Sequence, residues 1–201
     1  MTTLLPRSFI ANIVHQGTRL DGLISNDLRE SYDGPIFEYA RNLLENTTEP
    51  IDSLYFVGHS LGGALAQIVA AQLHGLQKQG DLAGSEDTAI RSYAFNSPGL
   101  LLSSRKFSVN IDDLYETATI IDSENDVVGD VDVHIGSVYD IDCVFEDVLA
   151  GCHRIQNAIC ALYEHCDATQ SHNPDLLQSF CEYSEDNPGA VMTDVYYDLE
   201  W

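Results

Sequence analysis

Ile51-Asp52-Ser53-Leu54-Tyr55-Phe56-Val57-Gly58-His59-Ser60-Leu61-Gly62-Gly63-Ala64-Leu65 is the stretch on which the fold turns. Ile51 to Val57 is apolar, and Tyr55, Phe56 and Val57 favour a strand. From Leu61 onward the apolar residues Leu61, Ala64, Leu65, Ile68, Val69 and Leu76 recur at helical spacing. Between the two runs lies G-x-S-x-G, Gly58 to Gly62. The reading is a strand, a sharp turn and a helix, with Ser60 exposed at the apex. A Cβ at a flanking position would crowd the strand or the helix, so Gly58, Gly62 and Gly63 are expected to keep that space open. The new helix aims its first N–H groups at the serine, and the amide of Leu61 can donate to a developing oxyanion.

Outward from this stretch, strands and helices alternate. Ser8 to His15 reads as a strand ending at Gly17-Thr18. Asp33-Gly34-Pro35 opens a helix with Ile36, Phe37, Ala40, Leu43 and Leu44 on one face. Ile90 to Phe95 is the next strand, closed by Asn96-Ser97-Pro98-Gly99. Leu100 to Tyr115 reads as irregular or a short helix, and Thr117 to Ile121 as a strand before the acidic loop 122 to 130. Val131 to Ile141 alternates and suggests a strand near a sheet edge. A helix begins near His153, and the chain from about 167 to 201 is an acidic tail. The expected architecture is α/β: a mostly parallel sheet with helices on both faces, in a single domain over residues 1 to 201. Sites in such sheets lie at the carboxyl ends of the strands.

Composition excludes several functions. At 44% apolar over 201 residues the chain can bury a core. Its 32 acidic residues against 9 basic ones leave a net charge of −23. That argues against nucleic acid, where affinity comes from neutralising phosphates, and against docking on anionic membranes. It fits an ordinary acidic protein, or one from a salt-rich setting, where a Debye length of about 3 Å at 1 M would screen the self-repulsion. No run approaches roughly 18 apolar residues, so no transmembrane helix is expected. Met1 to Val14 lacks the charged and apolar regions of a signal peptide, which makes the default setting cytoplasmic, with a removed leader as the alternative. The five cysteines, Cys143, Cys152, Cys160, Cys166 and Cys181, read as buried free thiols, with a Cys143–Cys181 staple as the alternative. Cys160 and Cys166 stand near His165 and His172, but their spacing fits no common zinc pattern, so neither metal nor cofactor is expected.

A serine needs a base, and the base needs a carboxylate. Asp122, Glu124 and Asp126 all follow the strand ending at Ile121. His134, His153, His165 and His172 come after them. His134 falls inside the alternating pattern. His153 stands at a loop-to-helix boundary after Gly151, where a partly exposed imidazole fits. His153 is therefore the leading candidate base and His134 the alternative.

His15-Gln16-Gly17-Thr18, Gly58-His59-Ser60-Leu61-Gly62-Gly63, Phe95-Asn96-Ser97-Pro98-Gly99, Asn125-Asp126-Val127-Val128 and His134-Ile135-Gly136 occur in that order. The ordered set resembles the class 3 lipase family of the α/β-hydrolase superfamily, over about residues 8 to 163. The resemblance implies a Ser60–His153–Asp126 triad that cleaves carboxylic or lipid esters through an acyl-enzyme without a cofactor. It implies oxyanion donors at Thr18 and Leu61. It also implies a lid over Arg19 to Glu30 with Leu20, Leu23 and Ile24 on its apolar face, unless that segment is a helix packed permanently on the body. The chain begins close to the first of these motifs, so a reduced version of the family is expected, with its pocket walls less complete. Two alternatives stay open: a catalytically silent binding or scaffold protein, and an acyltransferase using the same site. A homo-oligomer is compatible with either.

Overall fold

The structure is a computed structural model that describes residues 35–46, 51–83, 85–102, 104–143 and 151–165, with 178 and 181. The strand expected at Ser8 to His15, Thr18, the lid residues Leu20, Leu23 and Ile24, Cys166, His172 and most of the acidic tail lie outside the described residues.

The described elements are α1 (Pro35–Asn46), β1 (Ser53–His59), α2 (Leu61–Gln79), β2 (Ala89–Phe95), a 3-10 turn (Ser104–Phe107), α3 (Ile111–Thr117), β3 (Ala118–Ser123), β4 (Ser137–Ile141) and α4 (Ile155–His165). Among them the strands form one sheet in the order β1-β2-β3-β4. Every neighbouring pair is parallel. This is the α/β architecture of an α/β-hydrolase-like protein.

The register explains how the two faces are covered. Leu54, Phe56 and Ile90 share a face and pack with Val69, Ala70 and Leu73 of α2 and with Phe37, Ala40 and Leu44 of α1. Phe95, Ile121 and Ile141 lie on the opposite face, against Ala158 and Ala161 of α4. Burying a side chain such as Ile68 or Leu73 completely is worth about 1.5–3 kcal/mol. The small residues of α2, Ala64, Ala70 and Ala71, are almost fully buried and let that helix lie close to the sheet.

Two sequence expectations need correction. The alternating stretch Val131 to Ile141 forms a strand only from Ser137. Its first part pairs with the segment after β2 instead: Gly99 N–H donates to Val131 O at 2.7 Å, and the Leu100 and Leu101 amides both donate to Val133 O at 3.1 Å. A Cβ at Gly99 would lie 2.4 Å from the Val133 carbonyl carbon, so glycine permits this approach. The backbone then turns at Asp132 (φ 66°) and Gly136 (φ 125°) before it can enter the sheet. The second correction concerns the cysteines, which are not free thiols at four of the five positions. Cys143 is bonded to Cys152, and Cys160 to Cys181. Cys143 follows β4 and Cys152 precedes α4, which packs back on that edge, so the chain path brings together partners that spacing leaves ambiguous.

Candidate active site

Ser60 lies between the end of β1 and the start of α2 with φ 56° and ψ −128°. A non-glycine residue at positive φ is strained, and that strain lifts the side chain out of the turn. The elbow is pinned from both sides. Ser60 N–H donates to Phe95 O of β2 at 2.9 Å, and Ser60 O accepts from Gly63 N at 3.0 Å and Ala64 N at 3.2 Å. The glycines divide by role. A Cβ at Gly58 would lie 2.1 Å from Gly62 O, and one at Gly63 would lie 2.8 Å from Ser97 Cβ. At Gly62 nothing lies within 4 Å, so the space expected to be guarded there is open.

Asp126 stands in the loop after β3. Its amide donates to Ser123 O at 3.0 Å, and its Oδ1 accepts from Val128 N at 2.9 Å. Its side chain is 0% exposed, whereas that of His153 is 21% exposed. His153 precedes α4. Its Nδ1 is 3.0 and 2.9 Å from the two carboxylate oxygens of Asp126, and its Nε2 is 2.9 Å from Ser60 Oγ. A carboxylate only accepts, so Nδ1 carries the proton and Nε2 faces the hydroxyl as an acceptor. Ser60, His153 and Asp126 thus come together from the carboxyl ends of β1, β4 and β3, the rim where α/β sheets carry their sites.

His134 is elsewhere. Its Nε2 lies 3.5 Å from Asp122 Oδ2, and no described group hydrogen-bonds either of its ring nitrogens. Glu124 is exposed and donates its amide to Ile141 O at 2.9 Å. Leu61 opens α2, where the first amides have no acceptor within the helix.

His59, a hydrogen-bonding neighbour of the nucleophile rather than its base, and Asn96 hold the surroundings of these three residues. His59 Nε2–H donates to the main-chain carbonyl of His153 at 2.6 Å, and the two rings lie 4.9 Å apart. Burial pushes the His59 imidazole below the ordinary histidine range, and its bond to that carbonyl partly opposes the shift. Asn96, fully buried at the end of β2, donates from Nδ2 to Cys152 O at 2.6 Å. Its Oδ1 accepts from Ser123 N at 3.1 Å and from Ser123 Oγ at 2.9 Å. Asn157 Nδ2 completes the chain of bonds, donating to Ser123 Oγ at 2.8 Å and Asp142 O at 3.2 Å. The available signal was position: Asn96 directly follows a parallel strand, on the rim that carries Ser60.

A strained serine elbow, a histidine against it and a buried carboxylate behind that histidine, on the rim of a parallel sheet, mark the class of α/β-hydrolase-like proteins. The family model described as Lipase (class 3) matches residues 9–134, more than half of the 201 residues, and the chain belongs to that family. The resemblance read from the ordered motifs is thereby borne out. At family level the protein is a lipase, with lipid esters as the substrate class. The matched residues include Ser60 and Asp126 and end before His153. Neither the comparison with curated proteins nor the one with solved structures gave a match. Among the described residues no helix is long and apolar enough to cross a membrane.

Proposed function

We propose that the protein is a serine hydrolase that cleaves carboxylic esters of acyl or lipid type through an acyl-enzyme. One observation carries this reading: His153 Nε2 at 2.9 Å from Ser60 Oγ, with the same ring held by the buried Asp126 carboxylate at 2.9 Å. His153 takes the hydroxyl proton as Ser60 Oγ attacks the acyl carbon, and gives that proton to the leaving alcohol. Asp126 keeps Nδ1 protonated and stabilises the imidazolium while it exists. Water then repeats the sequence on the acyl-enzyme and releases the acid. The amide of Leu61 receives the oxyanion, and Thr18 is assigned the second donor from the family pattern. Losing one such donor typically costs about 10²–10³ in rate. The reaction as written calls for no cofactor. Short or medium acyl chains are the substrates we favour, because a net charge of −23 disfavours adsorption on anionic lipid surfaces.

The cysteines bear on the setting we propose. Two disulfides favour an oxidising compartment over the reducing cytosol expected from the N-terminal sequence.

Labelling with a fluorophosphonate, followed by hydrolysis of p-nitrophenyl esters of increasing chain length, tests the activity. Ser60-dependent labelling and turnover are expected. Folded protein that neither labels nor turns over would instead be a silent fold acting in binding. Product analysis with an added alcohol separates hydrolysis from acyl transfer.

A further inference from the structure

His153 lies in a turn, not in a helix or strand, so regular backbone hydrogen bonding does not fix its ring. What fixes it is local. Cys152 is tied to Cys143 by its sulfur and to Asn96 by its carbonyl, and the carbonyl of His153 itself accepts from His59. Asn96 is the centre of this arrangement. Its own amide donates to Ile121 O at 2.9 Å, and the residue before it, Phe95, supplies the carbonyl that holds Ser60 N–H at 2.9 Å. Its Oδ1 holds Ser123, whose carbonyl in turn accepts from the Asp126 amide. One dipeptide at the end of β2 is therefore bonded toward the serine, the carboxylate and the histidine.

We propose that Asn96 is the positioning residue of the site, holding His153 through the Cys152 carbonyl at the distance from Ser60 Oγ that proton transfer needs. The proposal rests on the reading above that His153 is the base. The chemistry of the side chain suits the task. The position requires one donor and one acceptor on a planar group, which an amide has and a carboxylate lacks. The backbone there has φ 48°, a left-handed conformation that asparagine tolerates better than most residues. Asn96 is also 0% exposed, so the amide has no water to exchange with and its partners stay fixed.

Asn96→Asp keeps the acceptor for Ser123 and sets an oxygen against the Cys152 carbonyl where the donor was. The expected result is a fall in kcat of about 10²-fold with KM changed by no more than about twofold, the signature of a displaced catalytic group. Ser123→Ala, which leaves the bond from Asn96 to Cys152 in place, is expected to lose stability but little kcat. A merely structural role would treat the two variants alike. The proton NMR resonance of His153 Nδ1–H bonded to Asp126 gives a readout that does not need turnover: it should broaden or shift in Asn96→Asp and persist in Ser123→Ala. Where Asn96→Asp folds poorly, Asn96→Gly accepts the left-handed backbone and removes the same donor. Wild-type kcat per folded molecule in either Asn96 variant, with the resonance unchanged, overturns the proposal. Wild-type protein that shows the resonance but does not label with fluorophosphonate overturns the hydrolase reading instead.

Discussion

His153–Asp126 and His134–Asp122 are pairs of the same chemistry, with their carboxylates at and just after the end of β3, and they differ in what surrounds them. Asp126 accepts both the imidazole proton and the Val128 amide, and the far nitrogen of His153 meets the serine hydroxyl. His134 stands 3.5 Å from Asp122, and among the described residues it finds no hydrogen-bond partner. Its side chain, at 14% exposed, is also less accessible than that of His153 at 21%. On the proposed reading, a histidine and a carboxylate at short range are not enough for a catalytic pair. The histidine needs a second face directed at a nucleophile, and the carboxylate needs fixed donors that hold it still.

The largest test of this contrast exchanges the histidines. Ser60→Ala and His153→Ala are each expected to lower kcat by about 10⁴–10⁶-fold. His134→Ala is expected to keep kcat within about tenfold and to lower the melting temperature, because it leaves a cavity beside a largely buried carboxylate. The reverse pattern, an inactive His134→Ala beside an active His153→Ala, would exchange the roles of the two pairs.

The carboxylates allow the next test. Asp126→Asn removes the acceptor that fixes the His153 tautomer, and a loss of about 10⁴-fold in kcat is expected. Asp122→Asn should change kcat by less than about tenfold, since its neighbour His134 does not touch Ser60. Equal losses in the two variants would mean that the acid loop acts as a unit, and the comparison of pairs would fail.

The disulfides sharpen the contrast with a smaller effect. Cys143–Cys152 adjoins His153 and closes a short loop, whereas Cys160–Cys181 spans a separation of 21 residues in sequence and lies farther along α4. Removing either by paired Cys→Ala substitutions is expected to cost about 2–3 kcal/mol in denaturant unfolding. Only the Cys143/Cys152 variant should also lose kcat, by several-fold. Unchanged kcat in both variants would mean that the turn holds His153 without this disulfide, through bonds such as those from Asn96 and His59.

Why some of this was legible in the sequence and some was not has a physical basis. The elbow could be read because strand, turn and helix are local, and a buried parallel strand followed by a helix leaves a continuous pattern. The order of Ser60, Asp126 and His153 could be read because each follows a strand. Val131 to Ile135 misled because its alternation serves a different pairing, the one with Gly99 to Leu101, which periodicity cannot distinguish from a sheet. Gly62 misled because a motif glycine need not be a steric one. The disulfide partners and the bonds of Asn96 depend on where β4 and α4 sit in space, and no local pattern records that. Thr18 and the lid residues Leu20, Leu23 and Ile24 lie outside the described residues, so their roles stand on the family pattern alone.

The smallest expected effect is in the pH dependence of stability, and it concerns His59, the imidazole that among the described residues lies against His153. Burial lowers the pKa of His59 below its unfolded value of about 6.5. Between the lowered value and about 6.5 the unfolded chain binds a proton that the folded chain does not, so stability rises with pH across that window. The contribution is complete above about pH 6.5 and is lost as pH falls below it. His59→Gln removes the titration while keeping an N–H that can reach the His153 carbonyl. Urea midpoints measured at about pH 5 and about pH 8 should therefore differ less in His59→Gln than in wild type. An unchanged difference would mean that the acid sensitivity of the fold lies elsewhere, and His59 would keep only its role as a donor to the turn that carries His153.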